Sequence, residues 1–359
     1  MKVQKMNNRY LILEDGSSYQ GIGFGAPIIA TGELAVETAN FGYQESLTDQ
    51  TNSGRILVFT TPIIGASGIS AIDYESINPS VKGIVVNELA IKIAGSHSFQ
   101  DLDQFLREKN IPGIYQIDTR NIVKKFSTMD VQKASIMDTD DQHAIDQIKA
   151  LVLPKNKVQN TSTVDAYAAP NIGKTVAIID LGLKHSLLRE LSLRQINSVV
   201  LPYNVSLEEI LNLRPDGIII SNGPGKINSI KVDLVEIIRA LQSTIPIMGI
   251  GLGYLALSQF LNLEIVDLRP NYIGSNYPVL NTSTSKIWQT AMNIQQITKQ
   301  PETVDAVNFS ERFVDLHQNY LAGYIWSDKK MIGVGFNPEG SPGNFDARHI
   351  FDIFVKMME

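Results

Sequence analysis

Gly249-Ile250-Gly251-Leu252-Gly253 closes an apolar run, Pro246 to Ile250, and passes directly into a helical stretch, Leu252 to Phe260. A strand that turns sharply into a helix presents one side chain above a sheet, the arrangement that serves a nucleophile in acyl transfer. The presented position is Gly251, which has no side chain to react. Glycine adopts φ > 0 without strain, so such a turn keeps its shape after the side chain is gone. A second glycine-rich loop, Ser221-Asn222-Gly223-Pro224-Gly225, also follows an apolar run. The alternative reading, taking each loop singly, is that these glycines only permit tight strand-to-helix turns. The chain contains no cysteine, which excludes thiol catalysis, disulfides and thiolate metal sites. Its five histidines, His97, His143, His185, His317 and His349, are the side chains best suited to move a proton near neutrality, and lone histidines are more often surface or capping residues.

The elements that would carry these loops lie in the second half. Val176 to Ile179, Ser198 to Leu201, Gly217 to Ile220 and Pro246 to Ile250 are continuous apolar runs, as expected of parallel strands covered by helices on both faces. Leu234, Ile237, Ile238 and Leu241 mark the intervening helix at i, i+3, i+4 and i+7. This alternation predicts an open, doubly wound, flavodoxin-like α/β sheet, with ligands beyond the carboxyl ends of its strands. In the first half, Tyr10 to Glu14, Arg55 to Thr61 and Lys82 to Val86 read as strands bounded by turn residues. Ser98 reads as the cap of a helix over Phe99 to Lys109 that buries Leu102, Phe105 and Leu106. Between them, Pro154-Lys155-Asn156, Asn160 to Thr163 and Ala168-Ala169-Pro170-Asn171 lack apolar periodicity. The expected organisation is a β-rich domain over 1–150, a linker over 151–173 and an α/β domain over 174–359.

Hydrophobic residues form 43% and charged residues 19% of the 359-residue chain, the balance of a soluble globular protein. Its formal charge of -6 and the absence of a dense basic cluster argue against a nucleic-acid partner. Ile245 to Leu257 is the longest nearly apolar run, shorter than the roughly 20 residues that span a bilayer, and Met1 to Tyr10 lacks a signal-peptide core. A cytoplasmic location is expected, with no membrane association.

Leu13-Glu14-Asp15-Gly16, Phe41-Gly42-Tyr43-Gln44-Glu45-Ser46-Leu47-Thr48-Asp49 and Ile117-Asp118-Thr119-Arg120 resemble segments of the carbamoyl phosphate synthase small chain. In the second half, Pro215-Asp216-Gly217 leading into Ser221 to Gly225, and Asn337-Pro338-Glu339-Gly340-Ser341-Pro342-Gly343 with Asp346-Ala347, are similar to motifs of its class I glutamine amidotransferase domain. The likeness runs from about Leu11 to the end, and its N-terminal part is absent from other amidotransferases. It implies a subunit that binds a large carbamoyl phosphate synthase subunit, where ATP, Mg and bicarbonate react with ammonia, and no cofactor in this chain. It also implies a glutamine site touching Thr51, Gly223, Gly225, Leu252 and position 255, with arginine and pyrimidine synthesis as the receiving pathways.

The departures concern catalysis. Where the family reads Gly-Ile-Cys-Leu-Gly-His-Gln, this chain reads Gly249-Ile250-Gly251-Leu252-Gly253-Tyr254-Leu255. The nucleophile position is Gly251, and the glutamine-contacting position is Leu255. The base of a His-Pro-Glu motif is replaced by Asn337, leaving Glu339 as the one retained triad member. The family's Gln-Asn-His-Gly segment has no clear counterpart in Trp288 to Gln296. Thioester chemistry needs a thiolate and a proton-transfer partner, so the resemblance implies a small subunit that has lost its glutaminase. Two alternatives stand beside it: a stand-alone regulatory or ligand-binding protein, whose Leu255 and Met292 suit a less polar ligand, and an active glutamine-hydrolysing subunit.

Overall fold

Leu11 and Leu13, Leu34 and Val36, Ile56 and Val58, and Ala134 and Ile136 are buried together as pairs two residues apart, so each strand sends alternate side chains into one core. These strands belong to a closed barrel. Its members are β1 (Asn8–Leu13), β2 (Ser18–Gly25), β3 (Ala30–Glu37), β4 (Arg55–Phe59), β5 (Gly83–Val85), β6 (Pro112–Tyr115) and β7 (Lys133–Met137), in the order β1-β7-β3-β4-β5-β6-β2. Closure leaves no free sheet edge. The computed structural model describes residues 8–90, 98–128, 133–242, 244–301 and 308–359, and the chain divides between Pro154 and Lys155 into two units.

The segments singled out in the first unit make its turns. Asp15 accepts from the Ser17 N–H at 2.9 Å, closing the β1–β2 hairpin. Helix α1 (Tyr43–Thr48) anchors a neighbouring strand through Gln44, which both donates to the Ser70 carbonyl and accepts from its N–H, each at 2.7 Å. Helix α2 spans Leu102–Glu108 and buries Leu102, Phe105 and Leu106, the expected stripe. Its start differs from the expectation, because Asp101 accepts from Gln104 N–H at 2.7 Å while Ser98 donates to the Gln100 carbonyl from a short strand, Ser98–Gln100. Asp101 stands three residues ahead of that N–H, the N-cap position, whereas Ser98 is held in the strand. Asp101→Ala is accordingly expected to lower stability by about 1 kcal/mol, and Ser98→Ala by less than about 0.5 kcal/mol, as read from urea midpoints.

In the second unit the apolar runs become β9 (Thr175–Asp180), β10 (Asn197–Pro202), β11 (Gly217–Ile220) and β12 (Ile247–Ile250), preceded by β8 (Tyr167–Ala169). β8 comes from the stretch read as a linker and pairs antiparallel with β10. The sheet continues through β13 (Ile265–Asn281), β14 (Lys286–Thr298), β15 (Glu311–Asp315), β16 (Leu321–Trp326) and β17 (Met331–Val334). Its order is β8-β10-β9-β11-β12-β17-β16-β14-β13-β15. Within it, β10-β9-β11-β12-β17 are mutually parallel. In order of appearance this is 2-1-3-4-5, the flavodoxin-like arrangement, whose switch point lies between its first and third strands.

Helices α3 (Thr119–Thr128) and α4 (Gln142–Ala150) complete the first unit. In the second, α5 (His185–Leu193), α6 (Leu207–Asn212), α7 (Leu234–Leu241), α8 (Leu252–Phe260) and α9 (His349–Met357) contribute to two cores that include parallel-strand residues. Helix α7 buries Leu234, Ile237, Ile238 and Leu241, the predicted face. The run Ile245 to Leu257 is β12 with the first half of α8, and no described helix is long and apolar enough to cross a membrane.

Candidate functional site

The carboxyl ends of β9, β11, β12 and β17 deliver four loops to one place. At the β12–α8 junction Gly251 has φ +53° and ψ −107°, a conformation that side-chain-bearing residues rarely adopt. Its N–H donates to the Val334 carbonyl of β17 at 2.9 Å. The sharp strand-to-helix turn expected from the sequence is thus present, with its positive φ at Gly251. The space above it is filled. An ideal Cβ on Gly251 would lie 2.0 Å from Asn222 Oδ1 and 2.1 Å from its Cγ.

Asn222 comes from the β11 loop and is 5% exposed. Its Oδ1 accepts from the N–H groups of Gly223 at 2.8 Å and Leu252 at 3.1 Å. Two converging N–H donors require an oxygen between them, which fixes the orientation of the carboxamide. Its Nδ2 then faces the Asn293 carbonyl and Asn337 Oδ1, both at 3.4 Å. Positions 251 and 337 thus border one carboxamide. Leu252 is the first residue of α8, so Asn222 also gives that helix the cap that Gly251, lacking a side chain, cannot.

Asn337 is buried and tied to β14 through its own N–H, which donates to the Ala291 carbonyl at 2.8 Å. An amide does not titrate near neutrality, so it supplies no base. Glu339 Oε1 lies 3.1 Å from Lys184 Nζ, with the two side chains 2% and 3% exposed. The lysine also donates to the Ser341 carbonyl. The retained carboxylate is thus engaged by a cation on the β9–α5 loop. At the end of β9, burial pushes the Asp180 carboxyl up, opposed by N–H donors from Leu183, Thr163 and Gly182.

The remaining expected residues fall into three groups. Gly223 and Leu252 contribute the two N–H donors, and Gly225 holds a turn at φ +93°. Leu255 is buried in one hydrophobic core and Met292 in the other, so they pack the interior and do not form an apolar ligand surface. Thr51 belongs to the first unit, buried in the turn Gln50–Asn52, where its N–H donates to Asp49 at 2.8 Å. Trp288 to Gln296 lies within β14. Of the histidines, His143 contacts Gln147 in the first unit, His185 opens α5, His317 meets Tyr272 and Tyr277 edge-on, and His349 packs on Trp288. His97 lies outside the described residues.

Two residues central to the site, Asn222 and Lys184, were not singled out by sequence reasoning. Both sit on loops at the switch point of a 2-1-3-4-5 sheet, the one signal that marks them. Chemically the arrangement offers two N–H donors that already hold an oxygen.

Residues 11–136 match the family model for the carbamoyl-phosphate synthase small chain, CPSase domain, and residues 177–357 match class-I glutamine amidotransferase. Carbamoyl phosphate synthase small chain of Streptococcus pyogenes is 40% identical over 99% of this chain and 98% of its own. That of Lactococcus lactis subsp. lactis is 38% identical over 99% of both. A solved glutamine amidotransferase from Thermotoga maritima superimposes on 46% of this chain and 75% of its own with a TM-score of 0.34 at 17% identity, too loose a match to inform the site. From end to end, this chain belongs to the carbamoyl phosphate synthase small chain family.

Proposed function

We propose that this chain is the small subunit of a carbamoyl phosphate synthase, partnered with a large subunit that uses ATP and Mg, and that it does not hydrolyse glutamine. Full-length kinship to small chains supports the partnership. The observation that carries the loss of hydrolysis is the elbow: Gly251 presents no side chain there, and a carboxamide, Asn337, stands where the base would be. Removing nucleophile and base together leaves at most positioning and oxyanion stabilisation, on the order of 10³ to 10⁴ over water in the serine protease comparison. The chain's role is then to support or modulate synthesis from ammonia.

The test mixes the chain with its cognate large subunit at fixed ATP and bicarbonate and compares glutamine with ammonium as nitrogen donor. Carbamoyl phosphate is expected from ammonium, in greater yield with the chain present, and no glutamate release from glutamine above the large subunit's background. Product formed from glutamine would overturn the reading. Failure of the two chains to associate in sedimentation would overturn the partnership.

A further inference from the structure

We propose that the stretch by which the chain enters the second unit, Val158 to Thr163, is a strap whose docking is coupled through Asp180 to the order of the β9–α5 loop. The sequence presents this stretch as a linker, yet it is tied down along its length. Val158 opens a 3-10 turn, Val158–Asn160, and is 1% exposed in the core that also holds Ile179, Leu181 and Ile220. Thr161 Oγ1 donates to the Leu181 carbonyl at 3.2 Å. Ser162 Oγ accepts from the Tyr203 N–H at 2.9 Å, and the Thr163 N–H donates to Asp180 Oδ2 at 2.7 Å. Three successive residues thus hold the carboxyl ends of β9 and β10, the side of the sheet on which the candidate site lies.

Asp180 is where strap and site meet. Its other oxygen, Oδ1, accepts from the Gly182 and Leu183 N–H groups at 2.9 and 2.7 Å, so one carboxylate, 5% exposed, serves both segments. Gly182 leans on the β11 loop: an ideal Cβ on it would lie 3.0 Å from Gly223 Cα and 3.1 Å from Pro224 Cδ. Two residues on, Lys184 reaches Glu339. Lifting the strap takes one donor from a buried carboxylate, a loss that such a group makes up only by turning toward water. Gly182 and Leu183 then lose their acceptor. Elements that share one buried acceptor favour each other's ordered state, and by linkage the effect is reciprocal. The coupling holds whether or not the chain hydrolyses glutamine.

The experiment is amide hydrogen exchange, read peptide by peptide by mass spectrometry, on the full-length chain. It compares wild type, the strap variant Thr161→Ala with Ser162→Ala, and Asp180→Asn. The strap variant removes two side-chain ties and leaves Asp180 intact. Exchange is expected to quicken at least about fivefold in peptides covering the strap and equally in those covering Leu181 to Lys184, while α7 stays at its wild-type rate. Ser162→Ala alone is the milder form should the pair not fold. Asparagine at 180 keeps one oxygen as acceptor but turns an N–H toward that of Thr163, donor against donor. Asp180→Asn is therefore expected to quicken exchange in the strap by a similar factor. A strap that loosens while the loop keeps its wild-type exchange overturns the proposal, as does a strap unmoved by Asp180→Asn. A rise of the same size in α7 also overturns it, because the unit is then loosening as a whole. The glutamine assay on the wild-type chain tests the non-hydrolytic reading separately, since exchange measures no activity.

Discussion

Lys184→Met is expected to destabilise the second unit by about 3 to 5 kcal/mol, the usual consequence of stranding one partner of a buried ion pair. Glu339 is 2% exposed and its Oε1 faces Lys184 Nζ at 3.1 Å. Methionine keeps much of the lysine's length but removes the positive charge that faces a carboxylate only 2% exposed. Glu339→Gln on the Lys184→Met background is expected to recover most of the loss, because it removes the stranded charge. Urea unfolding followed by tryptophan fluorescence reads this unit selectively, since it holds both tryptophans. A loss below about 1 kcal/mol, the size of an exposed pair, would refute the account. The pair anchors the loop that follows β17 to the loop that follows β9.

Gly253→Ala carries the second large effect, with a sign opposite to that of helix propensity. Gly253 lies within α8, where exchange of glycine for alanine ordinarily gains about 1 kcal/mol. Here the added Cβ would sit 2.0 Å from the Ile220 carbonyl oxygen and 2.7 Å from its carbon. Those are backbone atoms at the end of β11, unable to turn aside as a long side chain can. The helix would have to lift from the sheet, and overpacking of that severity is expected to cost about 3 kcal/mol or more. The same fluorescence titration decides it. A variant as stable as wild type would mean that α8 is free to slide.

Much of this arrangement is legible in the sequence, for identifiable reasons. Gly217 to Ile220 and Leu252 to Phe260 form a strand and a helix with the bounds the sequence suggests. Continuous apolar runs between glycine turns admit few alternatives in an α/β sheet. Position 251 could be read as an elbow for the same reason. Asn222 could not be assigned its role, although it stands in a loop that was read as functional. The contact that matters is with Leu252, 30 residues away, and hydrogen bonds of that separation leave no periodicity. Lys184 escaped because a lysine next to a histidine reads as ordinary surface, whereas its side chain is 3% exposed. Leu255 and Met292 misled in the other direction. Apolar replacements at expected ligand positions suggested a changed pocket, and they prove to be interior packing.

The conformation of Gly251 also bears on the history of such a chain. An elbow at φ +53° and ψ −107° is strained for any residue with a side chain, so a reactive side chain held there is kept at the expense of stability. Glycine holds that backbone without strain, and the Asn222 carboxamide satisfies the first N–H of α8 in place of a side chain at 251. On the reading proposed above, loss of hydrolysis is then a step that also gains stability, and recovery needs a side chain at 251 held under strain together with a base at 337.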